Sequence, residues 1–124
     1  MIPRIRVVPG CKFCCEENDL TIKAALKCQD SVGPLVSCDR WLYKDNYCIV
    51  TLDPTQLSMG HAIAILRNHS DDITDVSLLN EEHHALINAV QYVACLMKQK
   101  LSCDRVYVAT LCDGVKHLHY HIIP

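Results

Sequence analysis

Three histidines alternate with apolar residues in His117-Leu118-His119-Tyr120-His121-Ile122-Ile123-Pro124. In an extended strand, successive side chains point to opposite faces. His117, His119 and His121 therefore share one face, while Leu118, Tyr120 and Ile122 share the other. Imidazoles at two-residue steps lie about 7 Å apart, and such a row is costly to bury without partners. A solvated polar face is the plainer alternative. An imidazole has an ordinary pKa of about 6.5, so near neutral pH its unprotonated nitrogen is a good nucleophile. A second concentration of reactive atoms lies at Cys11-Lys12-Phe13-Cys14-Cys15. These thiols suit metal ligation, a redox pair or plain burial. The redox reading lacks the βαβ setting expected of it.

The other reactive residue types carry less. The nine cysteines are an odd number, so internal pairing cannot account for all of them. Met1 to Gly10 does not read as an export signal, which points to free thiols in a reducing cytoplasm. Cys28, Cys38, Cys48, Cys95 and Cys103 read as small buried hydrophobes, and so does Cys112, although it stands close to the histidine run. His83 and His84 occupy adjacent helix positions that face different ways, and read as solvated surface. Asp53, between a strand and Pro54, reads as a turn residue.

The elements that position these residues follow from periodicity. Trp41 to Tyr43 and Tyr47 to Leu52 are strand-like, separated by a turn at Lys44-Asp45-Asn46. Asp53-Pro54-Thr55 stops the second run, because proline lacks the ladder donor. Gly60 precedes a third strand, His61 to Leu66. Asn80, Glu81 and Glu82 read as a helix start, a capping residue followed by acids that suit the positive end of the helix dipole. Leu86, Ala89, Val90, Val93, Ala94 and Met97 recur at helical spacing and form one apolar stripe. Arg105 to Leu111 is a fourth strand, Asp113-Gly114 a turn, and Val115 to Ile123 a final strand carrying the histidines. The class is α+β: an antiparallel sheet of about five strands with one long helix packed on it. Met1 to Asp39 is irregular, with a short helix expected at Asp19 to Lys27 and a break at Gly33-Pro34.

A length of 124 residues points to one domain, 1–124. With 50% hydrophobic and 21% charged residues, there is enough apolar surface to offset the cost of ordering the chain. A formal charge of −2 argues against a general nucleic-acid binder. No apolar run approaches the roughly 18 residues a membrane span requires.

The run His117-Leu118-His119-Tyr120-His121-Ile122-Ile123 resembles the motif His-φ-His-φ-His-φ-φ of the histidine triad (HIT) superfamily of nucleotide hydrolases and transferases. Leu52-Asp53-Pro54 through Gly60-His61-Ala62-Ile63-Ala64-Ile65 is similar to that family's loop, Gly-His and following strand. Arg67-Asn68-His69-Ser70-Asp71-Asp72-Ile73 is similar to its next His-containing segment. Cys11-Lys12-Phe13-Cys14 resembles the Cys pair of its zinc-bearing branch. The resemblance implies that His119 attacks a nucleotide α-phosphate, forming a nucleotidyl-imidazole that water resolves. For this, the other nitrogen of His119 must be held by an acceptor, most simply a backbone carbonyl. His121 and His61 would donate to phosphate oxygens, and Asp53 would approach the ribose. The chemistry needs no metal. The implied structural zinc ligands are Cys11, Cys14, His69 and His117, a closed tetrahedral set. Spacing leaves Cys15 as an alternative to Cys14, and Asp72 is expected to accept from a ligating His. The resemblance also implies a two-fold homodimer through the strand after the long helix, with Val106 and Val108 near the axis. The competing arrangement is a monomer whose edge is covered by Met1 to Asp39.

Two features depart from the family pattern. Asp113-Gly114-Val115-Lys116 stands where many members carry Gly-Gln-Ser/Thr-Val, so the hydroxyl is absent and an acid replaces the Gln. Lys116 falls on the face opposite His117. The sequence also stops at Pro124, where relatives usually continue. The expected protein is a cytoplasmic, zinc-stabilised HIT domain acting on a nucleotide conjugate. Its Ile-Ile-Pro ending looks more like the dinucleoside-polyphosphate hydrolases than the phosphoramidases. The leading alternative is a nucleotide-binding or regulatory module with little or no turnover. A purely structural zinc protein leaves His119 and His121 without a purpose.

Overall fold

A computed structural model describes residues 8–14, 42–53 and 55–124. The helix expected at Asp19 to Lys27, the break at Gly33-Pro34, and Cys15, Cys28, Cys38 and Trp41 lie outside the described residues. The elements are β1 (Tyr43–Lys44), β2 (Cys48–Leu52), β3 (Ala62–Leu66), α1 (Asn80–Leu101), β4 (Tyr107–Ala109) and β5 (His119–Ile123). They form a five-stranded sheet in the order β1-β2-β3-β5-β4, with every neighbouring pair antiparallel. One long helix packed on this sheet is the α+β architecture the periodicity predicts.

Alternation sorts the sheet into two faces. Cys48, Val50, Ala62, Ala64, Leu66, Leu118, Tyr120 and Ile122 bury against Leu86, Ala89, Val90, Val93 and Met97 of α1. The apolar stripe read from the sequence is thus the packed one, and truncating a residue such as Leu86 to alanine would cost about 2–5 kcal/mol. The opposite face carries Ile63 and Ile65, on which Phe13 packs with Cys11 and Val115 beside it. The register sets His121 opposite Ile63 and His119 opposite Ile65. Both histidines therefore stand on the face away from the helix.

Several local expectations are corrected. Asn80 is inside the helix, and Leu79 holds the N-cap position with extended backbone. The buried Glu82 side chain accepts from the Leu79 N–H at 3.4 Å, so the helix start is satisfied from the third position rather than by a capping Asn. Cys95 is exposed, because its helix position lies off the buried stripe. The last strand starts at His119, so His117 precedes it. There the chain turns aside: Leu118 N–H donates to the Ser70 carbonyl at 2.6 Å, and His117 N–H to the Val115 carbonyl at 2.9 Å.

Candidate active site and metal centre

The bend before β5 splits the histidine run between two sites. His117 is fully buried, and its Nε2–H donates to the Leu66 carbonyl at 2.5 Å. A carbonyl only accepts, so Nδ1 carries the lone pair. That Nδ1 lies 3.3 Å from Cys11 Sγ and 3.4 Å from Cys14 Sγ. His69 Nδ1 lies 3.5 Å from Cys14 Sγ, while its Nε2–H donates to Asp71 at 2.8 Å. The four donor atoms all fall within 4.8 Å of one another. Metal–sulfur and metal–nitrogen bonds of about 2.3 and 2.0–2.1 Å in a tetrahedron place S and N about 3.6 Å apart, so the cluster has the size and donor chemistry of a zinc site. The chain reaches it through a tight turn: Cys11 N–H donates to the Val8 carbonyl at 3.2 Å, and Gly10 sits at φ 83°, where a side chain would be strained.

Cys14 therefore completes the set, and Cys15 lies outside the described residues. The carboxylate that accepts from His69 is Asp71 rather than the expected Asp72. Asp72 instead accepts from the Thr74 N–H at 2.8 Å and from the Thr74 hydroxyl, which holds its carboxyl below the usual range. It is engaged in its own turn.

His119 has a different environment. Its Nδ1–H donates to the His117 carbonyl at 2.6 Å, which leaves the lone pair on Nε2. Its own carbonyl accepts the Thr110 hydroxyl at 2.7 Å. Phe13 packs against it in a T-shaped arrangement, with ring centroids 4.9 Å apart, and Cys112 Sγ lies 4.0 Å from Nδ1. Phe13, Thr110 and Cys112 were not singled out from the sequence. Only the nearness of Cys112 to the histidine run hinted at its place, in a left-handed backbone at φ 54°.

His61 and His121 form a pair. Leu57 N–H donates to His61 Nδ1 at 3.3 Å, so the hydrogen of the neutral ring is on Nε2, which donates to His121 Nδ1 at 3.0 Å. His121 then carries its hydrogen on Nε2. Burial, followed by the neighbouring His119 and His61, lowers the His121 pKa; the nearby Asp53 carboxylate offsets this only in part. His121 is therefore neutral near pH 7. Asp53 Oδ2 lies 3.4 Å from His61 Nε2 and 3.6 Å from His121 Nδ1, while Oδ1 accepts the Thr55 N–H at 2.8 Å. One Asp53 oxygen thus shapes the turn, and the other faces the imidazoles. His83 and His84 stay away from both clusters, although His83 is half-buried with Nε2 3.1 Å from the Tyr120 hydroxyl.

His119, His121 and Asp53 line one pocket of about 260 Å3, together with Phe13, Ile63 and the Asp113-Gly114 turn. The acid and the missing hydroxyl that depart from the family pattern thus face the same space as the histidines. The site offers a nucleophilic nitrogen, a neighbouring N–H donor and a shallow apolar wall, an arrangement suited to displacement at phosphorus.

The HIT domain profile matches residues 36–124. No curated protein sequence matches. Among solved structures, a HIT-like protein involved in cell-cycle regulation from Bartonella henselae is 29% identical with a TM-score of 0.63. That match covers 68% of this chain and 65% of that one, so the chain spans just under two thirds of it. A HIT family protein from Bacillus anthracis is 23% identical over 95% of this chain and 74% of that one, with a TM-score of 0.68. A Zn-bound histidine triad family protein from Mycobacterium smegmatis is 21% identical over 93% of this chain and 74% of that one, with a TM-score of 0.65. The last two share the fold. The profile takes in the sheet, the helix and the histidine run together, and this chain belongs to the HIT domain family.

Proposed function

We propose that this chain hydrolyses a nucleotide conjugate or dinucleoside polyphosphate, or transfers its nucleotidyl group, through a covalent nucleotidyl-His119 intermediate. The observation that carries the reading is the 2.6 Å bond from His119 Nδ1–H to the His117 carbonyl, which aims a lone pair on Nε2 into the pocket. In the first step that lone pair attacks the α-phosphorus. A P–N bond forms, and the bond to the leaving group breaks with its electron pair going to that group. His121 Nε2–H donates to a phosphate oxygen as charge builds. A preorganised donor of this kind is worth about 10²–10³ in rate. His61, expected to donate to phosphate itself, has its Nε2–H on His121 Nδ1 and does not line the pocket, so in this reading it acts through His121. Asp53 lines the ribose side. In the second step water adds to phosphorus, the P–N electrons return to Nε2, and the proton from water leaves to solvent.

Cys11, Cys14, His69 and His117 are assigned to zinc, in keeping with the Zn-bound M. smegmatis relative. Zinc bound there contributes folding energy and takes no part in bond making at phosphorus. A cytoplasmic location for a single domain, 1–124, agrees with the abundant thiols; no helix among the described residues is long and apolar enough to cross a membrane. A two-fold homodimer along β4 accounts for Tyr107 and Val108, which are 62% and 46% exposed on the sheet edge. Val106, just before that strand, packs against the core, which leaves Val108 as the residue of the expected pair exposed at the edge.

One observation favours a second reading, a nucleotide-binding module with little turnover. Asp113 and Gly114 bring a negative charge and no hydroxyl to the pocket. Incubation with a radiolabelled nucleotide conjugate, followed by denaturation at alkaline pH, separates the two. A labelled protein band that vanishes in His119→Asn supports the enzyme. Tight nucleotide binding with neither adduct nor monophosphate release supports the module.

A further inference from the structure

Two groups of metal-ligating side chains occur among the described residues. One is the closed set of Cys11, Cys14, His69 and His117. The other is Asp53, His61 and His121, and its Asp53 and His121 line the His119 pocket. The ligand atoms of this second group form a triangle. Asp53 Oδ2 lies 3.4 Å from His61 Nε2 and 3.6 Å from His121 Nδ1, and the two nitrogens are 3.0 Å apart. Metal–nitrogen and metal–oxygen bonds of about 2.0–2.2 Å in a tetrahedron set such edges at about 3.4 Å. The nitrogen–nitrogen edge is the short one, because a hydrogen bond spans it.

The fold holds this triangle ready. Asp53 follows β2, His61 precedes β3 and His121 lies in β5, three neighbouring strands of the sheet. Asp53 N–H donates to the His61 carbonyl at 2.9 Å, which carries the β2–β3 ladder past its last pair. Gln56 Nε2 bonds both the Asp53 and the His61 carbonyl, at 2.5 and 2.7 Å, and its Oε1 accepts the Gly60 N–H at 2.8 Å. One glutamine thus ties together both ends of the loop that supplies two of the ligands. Asp53 Oδ1 is taken by the Thr55 N–H, which leaves Oδ2 to the imidazoles.

The donor types point to the ion. Two imidazoles and one carboxylate suit zinc or cobalt rather than magnesium or calcium, which prefer oxygen. Three protein ligands leave a coordination position open. Binding moves the His61 hydrogen from Nε2 to Nδ1 and displaces the Leu57 N–H, whose bond is long at 3.3 Å and whose residue is exposed. The metal then takes the His121 Nδ1 lone pair that His61 otherwise holds, so the His121 hydrogen stays on Nε2. His119 remains outside the set, with its Nδ1–H on the His117 carbonyl. A cation here also offsets the Asp113 carboxylate, which lines the same pocket.

We infer that Asp53, His61 and His121 form a second, open site for a divalent transition metal, whose free position faces the His119 pocket and takes water or a ligand oxygen. The site does not depend on the nucleotidyl-His119 reading.

The test is titration of the zinc-loaded full chain with cobalt(II), with zinc content measured before and after. The thiol cluster is already filled, so one further cobalt per chain gives visible d–d absorption without thiolate-to-cobalt charge transfer. Asp53→Asn keeps an oxygen for the Thr55 N–H and raises the Kd for this cobalt by about tenfold or more, since loss of even a supporting partner costs about 10–100-fold. His61→Asn does the same, with its melting temperature checked; if that variant fails to fold, Asp53→Asn decides alone. Absence of a further cobalt overturns the inference. Cobalt bound as tightly by both variants as by the wild type lies elsewhere on the surface and also overturns it. Charge transfer accompanied by zinc release means that cobalt has only exchanged into the thiol cluster, which overturns it too.

Discussion

His117 and His119 are two residues apart and both buried, yet they stand in opposite chemical situations. Each ring gives one hydrogen to a backbone carbonyl, His117 to Leu66 and His119 to His117 itself. The difference lies in the remaining nitrogen. That of His117 points at two thiols within a closed set of four donors. That of His119 points into a pocket. A histidine with both nitrogens committed is a fixture, and one with a single nitrogen committed is a reagent. The residue type does not make the distinction; what faces the second nitrogen does. The two regions also touch, through the His117 carbonyl and through Phe13, whose ring makes T-shaped contacts with both imidazoles.

The contrast breaks most sharply at His119. His119→Asn should lower turnover by about ten-thousand-fold, about 5 kcal/mol of barrier. Its melting temperature and zinc content should stay near wild type; retained turnover would remove His119 as the nucleophile. At the other cluster, Cys11→Ala should do the reverse in order of cause. Zinc is lost and the fold is destabilised by about 3–5 kcal/mol, a magnitude taken from breaking a buried paired group. Thermal unfolding with metal analysis decides it, and an unchanged melting temperature would mean the cluster holds no structural metal.

Smaller changes sharpen the comparison. Thr110→Val removes the hydroxyl that donates to the His119 carbonyl, at a cost of about 1 kcal/mol. Turnover should fall several-fold with KM little changed, because the bond steadies the nucleophile and not the substrate. An equal loss of stability with no change in kcat would assign Thr110 to folding alone. The smallest effect is the pH dependence of His121. Its folded pKa lies below the ordinary 6.5, so the unfolded chain binds the proton more readily. The stabilisation from keeping this ring neutral is fully present above 6.5 and lost as pH falls from there toward the folded value. His121→Gln should flatten the wild-type decline in melting temperature across that window; parallel curves for the two proteins would refute the assignment.

The sequence exposed those parts that depend on short periods. Two-residue alternation placed His119 and His121 on one face and Leu118, Tyr120 and Ile122 on the other, because strand geometry dictates it. The α1 stripe was legible for the same reason at helical period. What escaped depends on where the chain turns in space. The bend that lifts His117 out of β5 is set by Ser70, far away in sequence. Asp71 rather than Asp72 meets His69 because the latter is occupied by Thr74. Phe13 reaches His119 across more than one hundred residues, a contact no local pattern encodes.

The strand order has a consequence for biosynthesis. β5 follows every other described strand in sequence, yet it lies between β3 and β4. As the chain leaves the ribosome, β4 emerges with no partner beside it, and the far side of β3 stays bare. Only when β5 arrives do His121 and Ile63, 58 positions apart, become neighbours. Chains whose pairings span such separations fold slowly and expose strand edges meanwhile. In this fold His119 and His121 arrive together on the segment that closes the sheet. The nascent chain therefore has no assembled histidine pocket until the sheet is complete.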